Sequence, residues 1–172
     1  MGNVDENRAR SASGAVMRLA GLLMGLMCLG CDLPRDPEGT LARVRGGILR
    51  AGASPALGRV EMIGGKPRGI DVELINHVAN KLQARIEWTV GGESELLEAL
   101  EHYELDVVVG GLQEDSPWKS RVAMSRSYEE PQTGDRRKPR DVVALPPGEN
   151  RWILFVEEAL QAAAGLTPAY GQ

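Results

Sequence analysis

The sequence predicts an α/β fold, in which one lobe is a three-layer sandwich built on a mainly parallel sheet. Strand and helix patterns alternate over residues 48–110 in the order β-α-β-α-β, which is typical of parallel strands joined by right-handed crossovers. Residues 105–110 (LDVVVG) are an apolar, β-branched run ending in glycine, as expected of a central strand buried on both faces. The composition is globular, with 42% hydrophobic and 26% charged residues.

The first half of the lobe begins with short elements. Residues 40–45 (TLARVR) predict a helical segment with Leu41 and Val44 on one face, and residues 48–54 (ILRAGAS) predict a strand. Residues 55–67, which contain several glycines, are expected to form a loop or hairpin.

The strongest helix signal lies in residues 72–82 (VELINHVANKL), where apolar side chains recur at i, i+3, i+4 and i+7. Asp71 precedes this run and is expected to be an N-cap or first-turn acid. The remaining predicted elements are a strand at 84–90, a helix at 93–101, a strand at 105–110, a short strand at 141–145 and a final helix at 151–164.

The N-terminal residues have the pattern of an exported lipoprotein. Residues 19–29 (LAGLLMGLMCL) form an uncharged run behind a positively charged residue, too short to span a bilayer core of ~30 Å. A glycine then precedes Cys31, which resembles a lipobox whose cysteine is lipidated after cleavage, although Cys28 stands where the motif usually has leucine. An uncleaved or simply cleaved signal and a buried helix are the alternatives. Asp32 resembles the signal that retains lipoproteins in the inner membrane.

These patterns divide the chain into four parts. We expect a signal peptide at residues 1–31, a linker at 32–39, a single-lobe domain at 40–166 and a tail at 167–172. A lipid on Cys31 would anchor the lobe to the periplasmic face of the inner membrane without a spanning helix.

Several functional classes find no support in the residues. The net charge is -4 and no basic stripe occurs, which argues against nucleic-acid binding. His77 and His102 have no Cys or His partner at metal-ligand spacing, so no metal site is predicted. No nucleotide-binding, nucleophile-elbow or zinc-protease motif is present, so we expect neither a cofactor nor enzymatic activity.

Five stretches resemble the extracellular solute-binding proteins of family 3, which deliver amino acids and similar solutes to ABC transporters. The stretches are residues 40–54 (TLARVRGGILRAGAS), 69–82 (GIDVELINHVANKL), 105–112 (LDVVVGGL), 125–128 (SRSY) and 143–155 (VALPPGENRWILF). The resemblance implies the type II periplasmic-binding-protein fold. Family members normally have two lobes, but residues 129–140 leave no room for a second lobe, so a single lobe is expected.

The resemblance also implies where a ligand would bind, at the carboxyl ends of the parallel strands. Leu57 falls where an aromatic ring often stacks on the ligand, and Trp118 falls where amino-acid binders usually place an arginine fork. Because Trp118 offers one neutral N–H, ordinary amino-acid binding is in doubt, and Lys119 or Arg121 would have to compensate. The ligand positions implied are Leu57, Glu93, Gly110, Gly111, Gln113 and Trp118.

The resemblance implies an exported lipoprotein that binds a small solute in connection with ABC-type transport, with an ABC permease or another inner-membrane complex as partner. One lobe cannot enclose a ligand, so weak binding is expected. The alternative is an interaction or sensory lipoprotein that binds no solute and docks on a periplasmic or inner-membrane complex.

Overall fold

The computed structural model describes residues 36–128 and 140–165. The strands are β1 (Ile48–Ala53), β2 (Glu61–Ile63), β3 (Lys66–Arg68), β4 (Arg85–Val90), β5 (Val107–Gln113), β6 (Ala123–Met124) and β7 (Asp141–Leu145). The helices are α1 (Thr40–Val44), α2 (Ile70–Lys81), α3 (Glu93–Glu101) and α4 (Asn150–Ala163), with a 3₁₀ turn at Pro117–Ser120. The predicted signal peptide with Cys31, the start of the linker, most of residues 129–140 and the tail lie outside the described residues.

Five strands form the central sheet, in the order β4-β1-β5-β7-β6. β1 pairs in parallel with β4 and β5, whereas β7 is antiparallel to both β5 and β6. Four strands therefore run in one direction and β7 in the other, which confirms the prediction of a mainly parallel sheet. β2 and β3 form a separate antiparallel hairpin, one of the two arrangements expected for this segment.

Helices cover both faces of the sheet, so the three-layer arrangement is confirmed. Ile75 of α2 and Trp152 of α4 pack with Leu49 in one buried cluster. Leu96 and Leu100 of α3 pack on the opposite face in a second cluster. β5 supplies both, because Val107 and Val109 point to the first cluster and Val108 to the second. No helix within the described residues has the length and apolar character needed to cross a membrane.

The boundaries of β5 differ from the prediction at both ends. The strand begins at Val107, because Asp106 turns into an ion cluster, and it continues past the glycines to Gln113. A register shift between Val108 and Leu112 accommodates Gly110 and Gly111, so the glycines form a bulge and do not end the strand.

An ion cluster lies at the end of the sheet where β1 and β5 begin. We call this end of the sheet the base. Asp106 is fully buried and accepts hydrogen bonds from the guanidinium groups of Arg43 and Arg50 and from the backbone N–H of Arg50. Trp152 Nε1 donates to the Asp106 carbonyl oxygen over 2.8 Å. Burial works to raise the pKa of Asp106, but the hydrogen bonds from Arg50 and Arg43 outweigh it and hold the pKa below its ordinary value.

A second carboxylate at the base holds the chain that leads into α1. Glu149 is fully buried and accepts hydrogen bonds from the backbone N–H groups of Glu38 (2.7 Å) and Thr40 (3.0 Å). Burial and the neighbouring Glu149 raise the pKa of Asp36 to about 6. Residues 36–39, in the predicted linker, therefore rest on the lobe.

Candidate ligand crevice

The crossovers diverge at the carboxyl end of β1. β4 and β5 flank β1 on opposite sides, so the connection through α2 leaves on one side and the connection through α3 returns on the other. Such a switch point opens a crevice at the carboxyl ends of the strands. Here its edge is formed by Ser54, which follows β1, and by the Gly110-Gly111 bulge of β5.

Gly110 is required by the close approach of these two strands. Its φ is 138°, and a Cβ at this position would collide with the carbonyl oxygen of Ser54. Gly111 has a φ of 69°, and its backbone N–H donates to Asp71 Oδ2 over 3.1 Å. The Gly111 amide therefore bonds within the protein.

Asp71 is fully buried beneath the Gly110-Gly111 bulge, a region that we call the crevice floor. It lies in the first turn of α2, as the sequence predicts, but its side chain makes no N-cap hydrogen bond. Its second oxygen, Oδ1, accepts a hydrogen bond from the hydroxyl of Tyr128 over 2.8 Å. Asp71 thus joins α2 to β5 and to the segment after β6.

Arg59 places a positive charge between two carboxylates on this floor. Its Nη2 forms an ion pair with Asp141 Oδ2, and its Nη1 lies 3.7 Å from Asp71 Oδ1. The side chain is only 18% exposed and passes over Gly111. We call Arg59, Asp71, Asp141, Gln113 and Tyr128 the crevice network. Gln113 belongs to it because its Nε2 donates to Asp141 Oδ1 and, over 3.3 Å, to the Gly111 carbonyl oxygen.

The structure brings together three of the six positions that the resemblance implies, namely Gly110, Gly111 and Gln113. Leu57 lies in the loop after β1 with 98% of its surface exposed, and Glu93 is exposed at the first turn of α3. Trp118 is partly buried and packs against the core cluster under α3. As ligand contacts, all six positions stay predictions.

Arg121 does not offer a free guanidinium group that could bind a ligand carboxylate. Its guanidinium carbon lies 4.5 Å from the centroid of the Trp118 ring, and its Nη2 forms an ion pair with Glu101 Oε2. Lys119 is exposed on the 3₁₀ turn. The cation that the crevice floor does contain is Arg59, which sequence reasoning missed. No local pattern marks Arg59 or Asp141, because only the folded topology brings the loop after β1 beside the start of β7.

A hollow of about 490 Å³ lies elsewhere, between the end of β4 and α3. Its lining includes Thr89, Glu95, Glu98 and His102, and it contains none of the implied ligand positions. The crevice network, where backbone and charged groups converge, is the better candidate for solute binding.

The mainly parallel sheet, with helices on both faces and a crevice at the carboxyl ends of its strands, matches one lobe of the type II periplasmic-binding-protein fold. The family model "Bacterial extracellular solute-binding proteins, family 3" matches residues 49–164. The chain belongs to this family. A comparison with curated proteins finds no match.

Solved structures share the fold at low sequence identity. The arginine-bound form of domain 1 from TmArgBP has 21% identity and a TM-score of 0.61, over 67% of this chain and 93% of that chain. An ancestral cationic amino acid solute-binding protein has 12% identity and a TM-score of 0.63, over 74% and 94%. An amino acid ABC transporter substrate-binding protein from Streptococcus pneumoniae, bound to L-arginine, has 13% identity and a TM-score of 0.59, over 76% and 99%. At these identities the likeness is one of fold.

Proposed function

We propose that this chain is a one-lobe solute-binding lipoprotein that binds a small solute in its crevice in connection with ABC-type transport. The family match carries this proposal, because it runs from β1 into the last turn of α4. The crevice edge also keeps the glycine geometry that lets β5 approach Ser54.

Weak binding follows from the architecture. A pocket normally buries most of a small ligand's surface, and one lobe supplies one wall. One structural neighbour is an arginine-bound form of a domain 1. That neighbour supports the idea that a domain of this fold can hold a solute, while the second wall here would come from a partner protein such as a permease.

The crevice test compares two glycines. Gly110→Ala places a Cβ against the Ser54 carbonyl, whereas Gly92→Ala, in the loop before α3, meets nothing within 4 Å. Isothermal titration calorimetry of the purified full-length chain, kept in mild detergent, would be run against a panel of amino acids and small organic acids. We expect saturable heat for at least one solute, lost in Gly110→Ala and retained in Gly92→Ala. Absence of saturable heat for every solute would contradict solute binding.

The lipid anchor is part of the same proposal and has its own control. Cys31 follows an apolar run of signal-peptide length, and Cys28 lies three residues earlier. Cys31→Ser is expected to abolish incorporation of labelled fatty acid and release the protein from the inner membrane. Cys28→Ser is expected to keep both. Equal labelling of the two variants would place the anchor elsewhere.

Docking without solute is a second candidate, favoured by exposed apolar side chains near the crevice. Leu57, Ile63 and Ile70 are more than half exposed on the loop after β1, the β2–β3 hairpin and the start of α2. Cross-linking in intact membranes would compare Leu57→Ser with Leu154→Ser, which removes an exposed leucine from α4. Docking is supported if a cross-linked partner is lost in Leu57→Ser and kept in Leu154→Ser, with no solute added.

A further inference from the structure

We propose that Arg59 is a built-in occupant of the crevice, and that a solute carrying a guanidinium or ammonium group binds by displacing its side chain. This inference rests on the proposed solute-binding function and adds to it both a solute class and a means of regulation.

The carboxylates around Arg59 form a cation site that other residues hold in place. Tyr128 and the backbone N–H of Gly111 fix the two oxygens of Asp71, while Gln113 holds one oxygen of Asp141. These donors come from β5 and from the segment after β6, and so do not depend on Arg59. The site therefore keeps its geometry when the guanidinium leaves.

The burial of Asp71 makes a cation necessary. A buried carboxylate without a positive partner is strongly disfavoured, so either Arg59 or a positive group of the solute must lie beside it. A guanidinium or ammonium replaces Arg59 like for like. An anionic solute would instead add negative charge beside Asp71 and Asp141, and Arg121, which pairs with Glu101, is not placed to neutralise it.

Arg59 can leave by side-chain rotation alone, because its backbone is held separately. The Arg59 N–H donates to the Ala56 carbonyl over 3.0 Å, and the Arg59 carbonyl accepts from the Asp71 N–H over 3.4 Å. Gly69 packs so closely on this carbonyl that a Cβ would collide with it. The loop thus stays in place while the long side chain moves outward.

A tethered competitor lowers the apparent affinity for solute by a factor equal to the reciprocal of the fraction of time that the site is free. Removing the competitor raises the affinity by the same factor. The matched control is Arg68, an exposed arginine on β3 at the same end of the lobe.

Calorimetry on the full-length chain in detergent tests the proposal, with L-arginine, L-lysine and L-glutamate as probes. We expect Arg59→Ala to bind L-arginine at least tenfold more tightly than the wild type, with a smaller gain for L-lysine and no gain for L-glutamate. Arg68→Ala should match the wild type. Unchanged or weaker binding of L-arginine in Arg59→Ala overturns the proposal.

A second variant covers the case in which Arg59→Ala does not fold. Arg59→Gln removes the charge and keeps a long polar side chain, and its melting temperature is measured with and without L-arginine. Stabilisation by L-arginine beyond that of the wild type supports the proposal, and equal stabilisation overturns it. If another solute binds wild type and Arg59 variants equally, the displacement idea fails while the proposed function stands. If nothing binds any variant, both fail.

Discussion

The two ends of the sheet carry ion clusters of opposite composition. At the base, one buried carboxylate, Asp106, takes hydrogen bonds from two guanidinium groups. At the crevice, one guanidinium, Arg59, lies between two carboxylates. The Asp106 cluster therefore has an excess of positive charge, and the Arg59 cluster has an excess of negative charge. Asp106 also accepts from the Arg50 backbone N–H in β1, and its carbonyl oxygen accepts from the Trp152 indole N–H of α4. Its cluster therefore ties fixed elements together, whereas the charge of Arg59 is carried by a loop residue and is exchangeable.

The largest expected effect comes from breaking the Asp106 cluster at the base. Asp106→Ala removes a buried acceptor shared by Arg43, Arg50 and the Arg50 backbone, so we expect a loss of about 3 kcal/mol in the free energy of unfolding. Urea denaturation followed by circular dichroism measures it. Glu87→Ala removes an exposed partner of Arg85 and should cost about 0.5 kcal/mol or less. A similar small loss for both variants would contradict a stabilising role of the Asp106 cluster.

The next largest expected effect is the loss of stability when a carboxylate of the crevice network is neutralised, compared with an exposed carboxylate nearby. Asp71→Asn removes the buried charge that faces Arg59 but keeps a side chain of similar size, so we expect a loss of about 2 kcal/mol. Glu73→Gln makes the same chemical change at an exposed position of the same helix turn and should stay within about 0.5 kcal/mol of the wild type. Asp71→Asn should also lose any binding of L-arginine, while Glu73→Gln keeps it.

The smallest effect is a pH dependence at the base. The folded state raises the pKa of Asp36 from 3.8 to about 6, so between these values the folded state binds more protons than the unfolded state. This group's contribution to stability is therefore full below pH 4 and falls as the pH rises towards 6. Plots of melting temperature against pH for wild type and Asp36→Asn should have different slopes across this window. Parallel curves would contradict the raised pKa. The carboxyl group facing it is that of Glu149, with Arg151 as the nearby cation.

Local patterns in the sequence were sufficient for the lobe and insufficient for its crevice. The spacing of Val72, Ile75 and Val78 predicts α2 because residues three or four apart in sequence lie on the same face of a helix. Asp71 shows the limit, since its position favours a helix cap whereas its side chain instead bonds to Gly111 and Tyr128. The Arg59–Asp141 pair depends on two distant segments meeting, which no local spacing records.

The implied ligand positions show the same division. Gly110 and Gly111 are implied by the resemblance, and the close approach of Gly110 to Ser54 places them at the crevice edge, where they stay predictions as ligand contacts. Trp118 was assigned from its place in the family pattern, but its ring packs on the core cluster and under Arg121. Arg121, one of the two residues that would have to replace the missing guanidinium fork, pairs with Glu101, and the guanidinium of the crevice comes from a different loop.

The most direct test of the contrast between fixed base and exchangeable crevice is nuclear magnetic resonance of the arginine side chains. The Nε–H signals of Arg59 and Arg50, each assigned by substitution, would be followed during titration of the full-length chain with L-arginine. We predict that the Arg59 signal moves towards that of a solvent-exposed arginine as the site fills, while the Arg50 signal stays in place. An Arg59 signal that stays in place at saturation would contradict the account.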